Sequence, residues 1–194
     1  MTTILLVDWE NFKRKMGLVF KQVKQPRPQW HEYDFRGLFD KVLSGIGIDK
    51  TIFYFAKIKE HEDTKKKSKE LIEEQRLLKT SLEKQKFQVV LSGRVRGQWE
   101  DGIFGKKILV FKEKGVDVRI AVDMVSWACD KKVKEIVLAS SDSDLQPAIN
   151  EVKNRSVSCV YLGFETQVNK GLSYNTHRTI LIRNSEVLEF NKKS

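Results

Sequence analysis

ILLVD, Ile4 to Asp8, is four apolar residues ending in a carboxylate. A short, continuous apolar run suits a strand covered on both faces, as in a parallel sheet. TIFYFAKI (Thr51–Ile58), FQVVL (Phe87–Leu91), EIVLAS (Glu135–Ser140) and VSCVYLGF (Val157–Phe164) have the same character, and TILI (Thr179–Ile182) is a weaker sixth. Helical patterns lie between them. Phe35, Leu38, Phe39, Val42 and Leu43 recur at helical spacing. Lys66–Lys86 is rich in Lys, Glu, Leu and Gln, which predicts a long, solvated helix. Asp117–Cys129 and Leu145–Arg155 complete the set. Strand and helix in alternation predict a three-layer α/β/α fold with a mainly parallel central sheet and right-handed crossovers. KQPRPQW (Lys24–Trp30) and the glycine-rich SGRVRGQWEDGIFG (Ser92–Gly105) read as surface loops.

The 194 residues suit one domain, with a motif-bearing core at about 4–162 and a C-terminal strand and tail at 163–194. With 40% hydrophobic and 32% charged residues, the composition fits a globular chain rather than a disordered one. No run of roughly eighteen apolar residues occurs, so no membrane span is expected. The N-terminus lacks the pattern of a secretory signal, and Cys129 and Cys159 have no paired spacing, so a reducing cytoplasm is expected. His31, His61 and His177 lack ligand spacing and read as surface or structural residues. The motifs of serine hydrolases, dinucleotide-binding folds and P-loops are absent.

The net charge of +10 is unevenly spread. Residues 116–194 are nearly balanced, with 11 basic and 10 acidic groups, so the excess lies upstream. Between Asn11 and His31 stand Lys13, Arg14, Lys15, Lys21, Lys24 and Arg27, and no acid. Such a patch attracts polyphosphate without sequence preference, or serves only as a soluble surface.

In open parallel sheets, ligands bind beyond the carboxyl ends of the strands. Asp8 ends the first strand, and Asp142 and Asp144 follow EIVLAS. If those strands are neighbours, the three carboxylates converge on one edge, with Asn11 close by. KGVDVRIAVDMV adds Asp117 near a helix start and Asp123 about 120° further round the axis. Each aspartate alone is ordinarily a cap or turn residue. Together they form a set that cannot stay ionised at close range without a cation. A hard divalent ion, Mg²⁺ or Mn²⁺, accepts oxygen ligands and keeps several waters. It would activate water and stabilise charge at a phosphate.

VDWEN, KGVDVRIAVDM and VLASSDSDLQPAI, in that order over Ile4–Leu162, resemble the NYN domain family in its LabA-like branch, within the PIN-like nuclease group. The resemblance implies metal-dependent cleavage of RNA. It implies acidic-site roles for Asp8, Asp117, Asp123, Asp142 and Asp144, with Asn11 in support; the metal ligands would be Asp8, Asp142, Asp144 and Asp117, with Asp123 as the alternative to Asp117 or its companion. Lys114 would approach the phosphate, and the hydroxyls of Ser140 and Ser141 would hold a phosphate or a carboxylate. Apart from the resemblance, Arg94 and Arg96 flank Gly93 and Gly97 and are further candidates for phosphate contact. The family commonly has Gly before DSD and an aromatic after it, where this chain has Ser141 and Leu145. The expected function is therefore an endoribonuclease acting on single-stranded RNA. The alternatives are a non-catalytic RNA- or protein-binding module and a DNA-directed nuclease. A homo-oligomer or a regulatory protein partner is compatible with either.

Overall fold

Six of the seven strands are parallel because the chain returns through a helix or a long crossover after nearly every one. The computed structural model describes residues 1–60, 65–101 and 107–191, as backbone alone at 96–101 and 107–113. In chain order the elements are β1 (Thr2–Asp8), α1 (Trp9–Gln22), α2 (Phe35–Val42), β2 (Lys50–Lys57), α3 (Lys65–Lys84), β3 (Gln88–Asp101) and β4 (Lys107–Lys114). There follow α4 (Val116–Cys129), β5 (Val133–Ala139), α5 (Gln146–Asn154), β6 (Ser158–Phe164), α6 (Lys170–Asn175), β7 (Arg178–Ile182) and α7 (Asn184–Glu189). The sheet order is β4-β3-β2-β1-β5-β6-β7, with β4 antiparallel to β3 at one edge and all other pairs parallel. The three-layer reading holds.

Alternation along β1 assigns its side chains to two cores. Leu5 and Val7 meet Phe12, Met16 and Phe20 of α1, with Phe35 and Phe39 of α2. Ile4 and Leu6 face Ile120 and Met124 of α4, with Ile149 and Val152 of α5. All four β1 residues are at most 5% exposed, which is why ILLV has no polar position to betray its strand period. By the same alternation Asp8 takes the α4 side at the sheet's carboxyl rim.

The expected loop at Ser92–Gly105 is corrected. β3 runs on to Asp101 and pairs in register with β4, from Arg94 opposite Lys114 to Asp101 opposite Lys107. Backbone hydrogen bonds alone can extend an edge ladder, so a glycine-rich, charged segment joins a sheet without supplying an apolar run. Gly93 has a φ of 74°, and a Cβ there would lie 2.3 Å from the Lys114 carbonyl oxygen, so the sequence SGR admits no larger residue at its centre. Gln98–Asp101 and Lys107 onward are strand, and the connecting residues 102–106, with His61, lie outside the described residues. Lys24–Gln29 is irregular as expected, and a single 3-10 turn follows at Trp30–Glu32. His177 is structural, its Nδ1 accepting the Cys159 backbone N–H at 3.0 Å.

Candidate active site

β1 and β5 are adjacent, with Val7 opposite Ala139, so Asp8 and Ser140 leave the sheet side by side. Asp8 then serves as N-cap of α1. Its Oδ1 accepts the Asn11 backbone N–H at 3.3 Å, and its Oδ2 accepts the Asn11 side-chain amide at 3.4 Å and the Ser140 hydroxyl at 3.0 Å. The Ser140 oxygen accepts the Asp142 backbone N–H at 3.2 Å, and the Ser141 hydroxyl donates to Asn11 Oδ1. Asp142 closes the turn by accepting the Asp144 N–H at 3.0 Å. The chain is thus knotted to itself at one rim by short polar side chains. The serines expected to hold a phosphate or a carboxylate hold Asp8 and Asn11.

Burial raises the Asp8 carboxyl above the ordinary value of 3.8, and the negative charge of Asp142 adds to the shift. Hydrogen bonds from Ser140 and Asn11 oppose it. Asp8 is only 6% exposed, so its charge is poorly solvated and rests on the donors that surround it.

A second element reaches the same cleft through a glycine. Gly115 has a φ of 88°, which turns the chain from β4 into α4 and sets Asp117 in the first helical turn. The cleft, about 740 Å³, is lined by Asp8, Asn11, Asp117 and Asp142 and by Lys13, Arg14, Arg27 and Lys114. Arg14 also donates to Asn11 Oδ1 at 3.4 Å.

The remaining expected residues lie elsewhere. Asp144 is exposed in the 3-10 turn Ser143–Leu145 and does not line the cleft. Asp123 is buried on α4, where its carboxylate accepts the Tyr54 hydroxyl at 2.9 Å and Arg119 Nε at 2.9 and 3.0 Å. Tyr54 is the β2 residue opposite Asp8, so Asp123 touches the residue beside the site. Lys15 turns away and donates to Gln167 Oε1 at 2.7 Å. Lys21 and Lys24 are exposed and line no part of the cleft. Arg94 pairs with Lys114 in the β3–β4 ladder, and the Arg96 side chain lies outside the described residues. Glu10, passed over in the sequence reading, does line the cleft and forms an ion pair with Lys13. Its position in DWEN, in the first turn after the Asp8 cap, is the signal that marks it. Among the described residues, no three His, Cys, Asp or Glu side chains converge tightly enough to hold a metal ion unaided.

A profile of the NYN domain matches residues 2–183. The chain belongs to the NYN domain family. NYN domains are PIN-like and are generally nucleases that hydrolyse phosphodiesters with a divalent metal. A crystal structure of a protein of unknown function from Vibrio parahaemolyticus is similar to this NYN domain, with 16% identity, 93% of each chain covered and a TM-score of 0.52. That likeness concerns the fold alone. No curated protein sequence matches the chain. Among the described residues of the NYN domain, no helix is long and apolar enough to cross a membrane.

Proposed function

We propose that this NYN domain, of the LabA-like type, is a metal-dependent endoribonuclease acting on single-stranded RNA. The observation that carries the reading is the pairing of Asp8 and Asp142 at one rim, inside a cleft edged by Lys13, Arg14, Arg27 and Lys114. Two like charges near each other, one of them buried, form a donor set suited to a hard cation. Asp8, Asp117 and Asp142 would hold Mg²⁺ or Mn²⁺, an ion that takes oxygen ligands and retains several waters. When bound, the metal supplies an activated nucleophile and charge stabilisation at phosphorus.

The chain's own residues do the rest. Asp8 must be ionised, and Ser140 and Asn11 favour that form by donating to it. The four basic side chains draw the strand in by releasing its counterions, without reading bases. Asp144 adds negative charge beside Asp142, and Asp123 steadies Tyr54 behind Asp8. Because Asp8 is recessed, the scissile phosphate has to enter the cleft, which a flexible single strand does more readily than a stiff duplex.

The test is the lifetime of a labelled single-stranded RNA with Mn²⁺ or Mg²⁺ and with EDTA, beside Asp8→Asn. The reading expects cleavage only with metal and wild-type protein. A second reading is a non-catalytic RNA- or protein-binding module with the same fold. It expects an RNA lifetime indifferent to EDTA. Competition by single-stranded DNA separates RNA from DNA as the substrate.

A further inference from the structure

Beside the acidic cleft lies a second cavity of about 360 Å³, within the range of roughly 300–1,000 Å³ usual for small-ligand sites. It is walled by Trp9 from α1, Trp30 and His31 from the 3-10 turn, and Leu71 and Gln75 from α3. Glu10 and Lys13 line both this cavity and the acidic cleft, so the two meet at the first turn of α1.

Its walls have the character of a stacking site. Trp9 is held rigidly, with its ring centroid 5.6 Å from those of Phe35 and Phe55 and 6.2 Å from that of Phe53. Trp30 meets it at 5.9 Å with the planes at 85°. Trp9 is only 3% exposed and acts as the brace, so the half-buried Trp30 supplies the ring surface open to the cavity. Lys13 Nζ sits 5.9 Å from the Trp9 ring centroid, at the junction with the cleft. The Gln75 amide is fixed by its 2.9 Å bond to the Ala56 carbonyl, which gives the cavity an oriented polar group. Rigid aromatic rings next to a cationic track are the combination that binds single-stranded nucleic acid, the rings taking bases and the cations taking phosphates.

We propose that this cavity receives one unpaired nucleobase of the strand whose backbone occupies the acidic cleft. The proposal rests on the cleft being a site for nucleic acid. It makes Trp30 and α3 determinants of where along a strand the scissile phosphate falls. It also gives α3, which reads from its sequence as a solvated face, a binding role through its Leu71–Gln75 side.

The test measures binding in EDTA, without cleavage, using a short fluorescently labelled oligouridylate and an abasic strand of equal length. The wild type binds the base-bearing strand about tenfold more tightly than the abasic one, the size expected for one stacked base. Trp30→Ala lowers binding of the base-bearing strand to the abasic level and leaves abasic binding unchanged. Leu71→Trp, which fills the cavity from the α3 side without touching the cleft, does the same. Photocrosslinking a 4-thiouridine strand to the wild type places adducts on Trp9, on the 28–31 segment or on α3, and needs no variant to fold. Equal wild-type affinity for the two strands, discrimination that survives both variants, or adducts confined to other segments would overturn the proposal. Metal-dependent cleavage without base discrimination overturns the pocket alone. Base discrimination in a protein that never cleaves upholds the pocket and overturns the nuclease reading.

Discussion

The Ser140 hydroxyl donates to Asp8 Oδ2 at 3.0 Å, across 132 residues of chain, while its oxygen accepts the backbone N–H of Asp142 at 3.2 Å. One small side chain therefore sets the spacing of two carboxylates that repel. It also offsets part of the burial that pushes Asp8 upward. Ser140→Ala removes both effects, and about 1 kcal/mol of stability with them. The acid limb of the cleavage-against-pH profile should move to higher pH, because Asp8 then ionises later. An unmoved limb with normal folding would separate Asp8 from the chemistry.

The same raised carboxyl makes a stability prediction of its own. Folded Asp8 holds its proton to higher pH than the unfolded chain does. Its contribution is fully present below the ordinary value of 3.8 and is lost as pH rises through the folded pKa. Asp8→Asn lacks that loss and keeps an amide oxygen for the α1 cap. Thermal melts should show the variant gaining on the wild type at neutral pH and the gain shrinking in acid. Each kcal/mol gained corresponds to about 2–4 °C for a chain of this size. A gain independent of pH would contradict the assignment.

Asp117 and Asp123 separate by their neighbours. Asp117 lines the cleft, whereas Asp123 is engaged by Tyr54 and Arg119. Asp117→Asn should reduce cleavage beyond the roughly 10–100-fold typical of supporting residues, and Asp123→Asn should stay within it. Asp123→Ala should also cost about 1–3 kcal/mol, because the buried Tyr54 hydroxyl loses its acceptor. Cleavage rates and denaturant melts on the three variants check both statements.

The basic residues are not equivalent either. Arg14, Arg27 and Lys114 line the cleft, and Lys21 does not. In binding titrations on single-stranded RNA at several salt concentrations, each cleft residue changed to Ala should flatten the log–log slope by about 0.7. Lys21→Ala should leave it unchanged. An equal effect from Lys21 would mean that the strand follows the whole patch from Asn11 to His31.

The central strands were legible because ILLV, FYFA and IVLA are buried on both faces, and a buried parallel strand writes itself as an apolar run. The hairpin was not, although KILVF in β4 carries an apolar run of its own. β3 owes its length to backbone pairing with β4, and the glycines and charges of SGRVRGQWED mask the extended backbone. At the site, Asp8 and Asp142 could be placed from one rule about strand ends. Asp123 could not, because its partner Tyr54 is distant in sequence and only the sheet register brings it near. Charge alone likewise counted Lys15 with the patch, while its turn toward Gln167 depends on the α1 face it occupies. The aromatic cavity needed five separate segments to meet, from α1, the 28–31 turn, the end of β2, α3 and β3, and no spacing within one of them announces it.

The most direct test is cleavage of a labelled single-stranded RNA by purified wild type and Asp142→Asn, with Mn²⁺ and with EDTA. The account predicts cleavage by the wild type with Mn²⁺, none in EDTA, and loss of cleavage by the variant with its binding retained. An RNA lifetime unchanged by metal, or wild-type cleavage by Asp142→Asn, would contradict it.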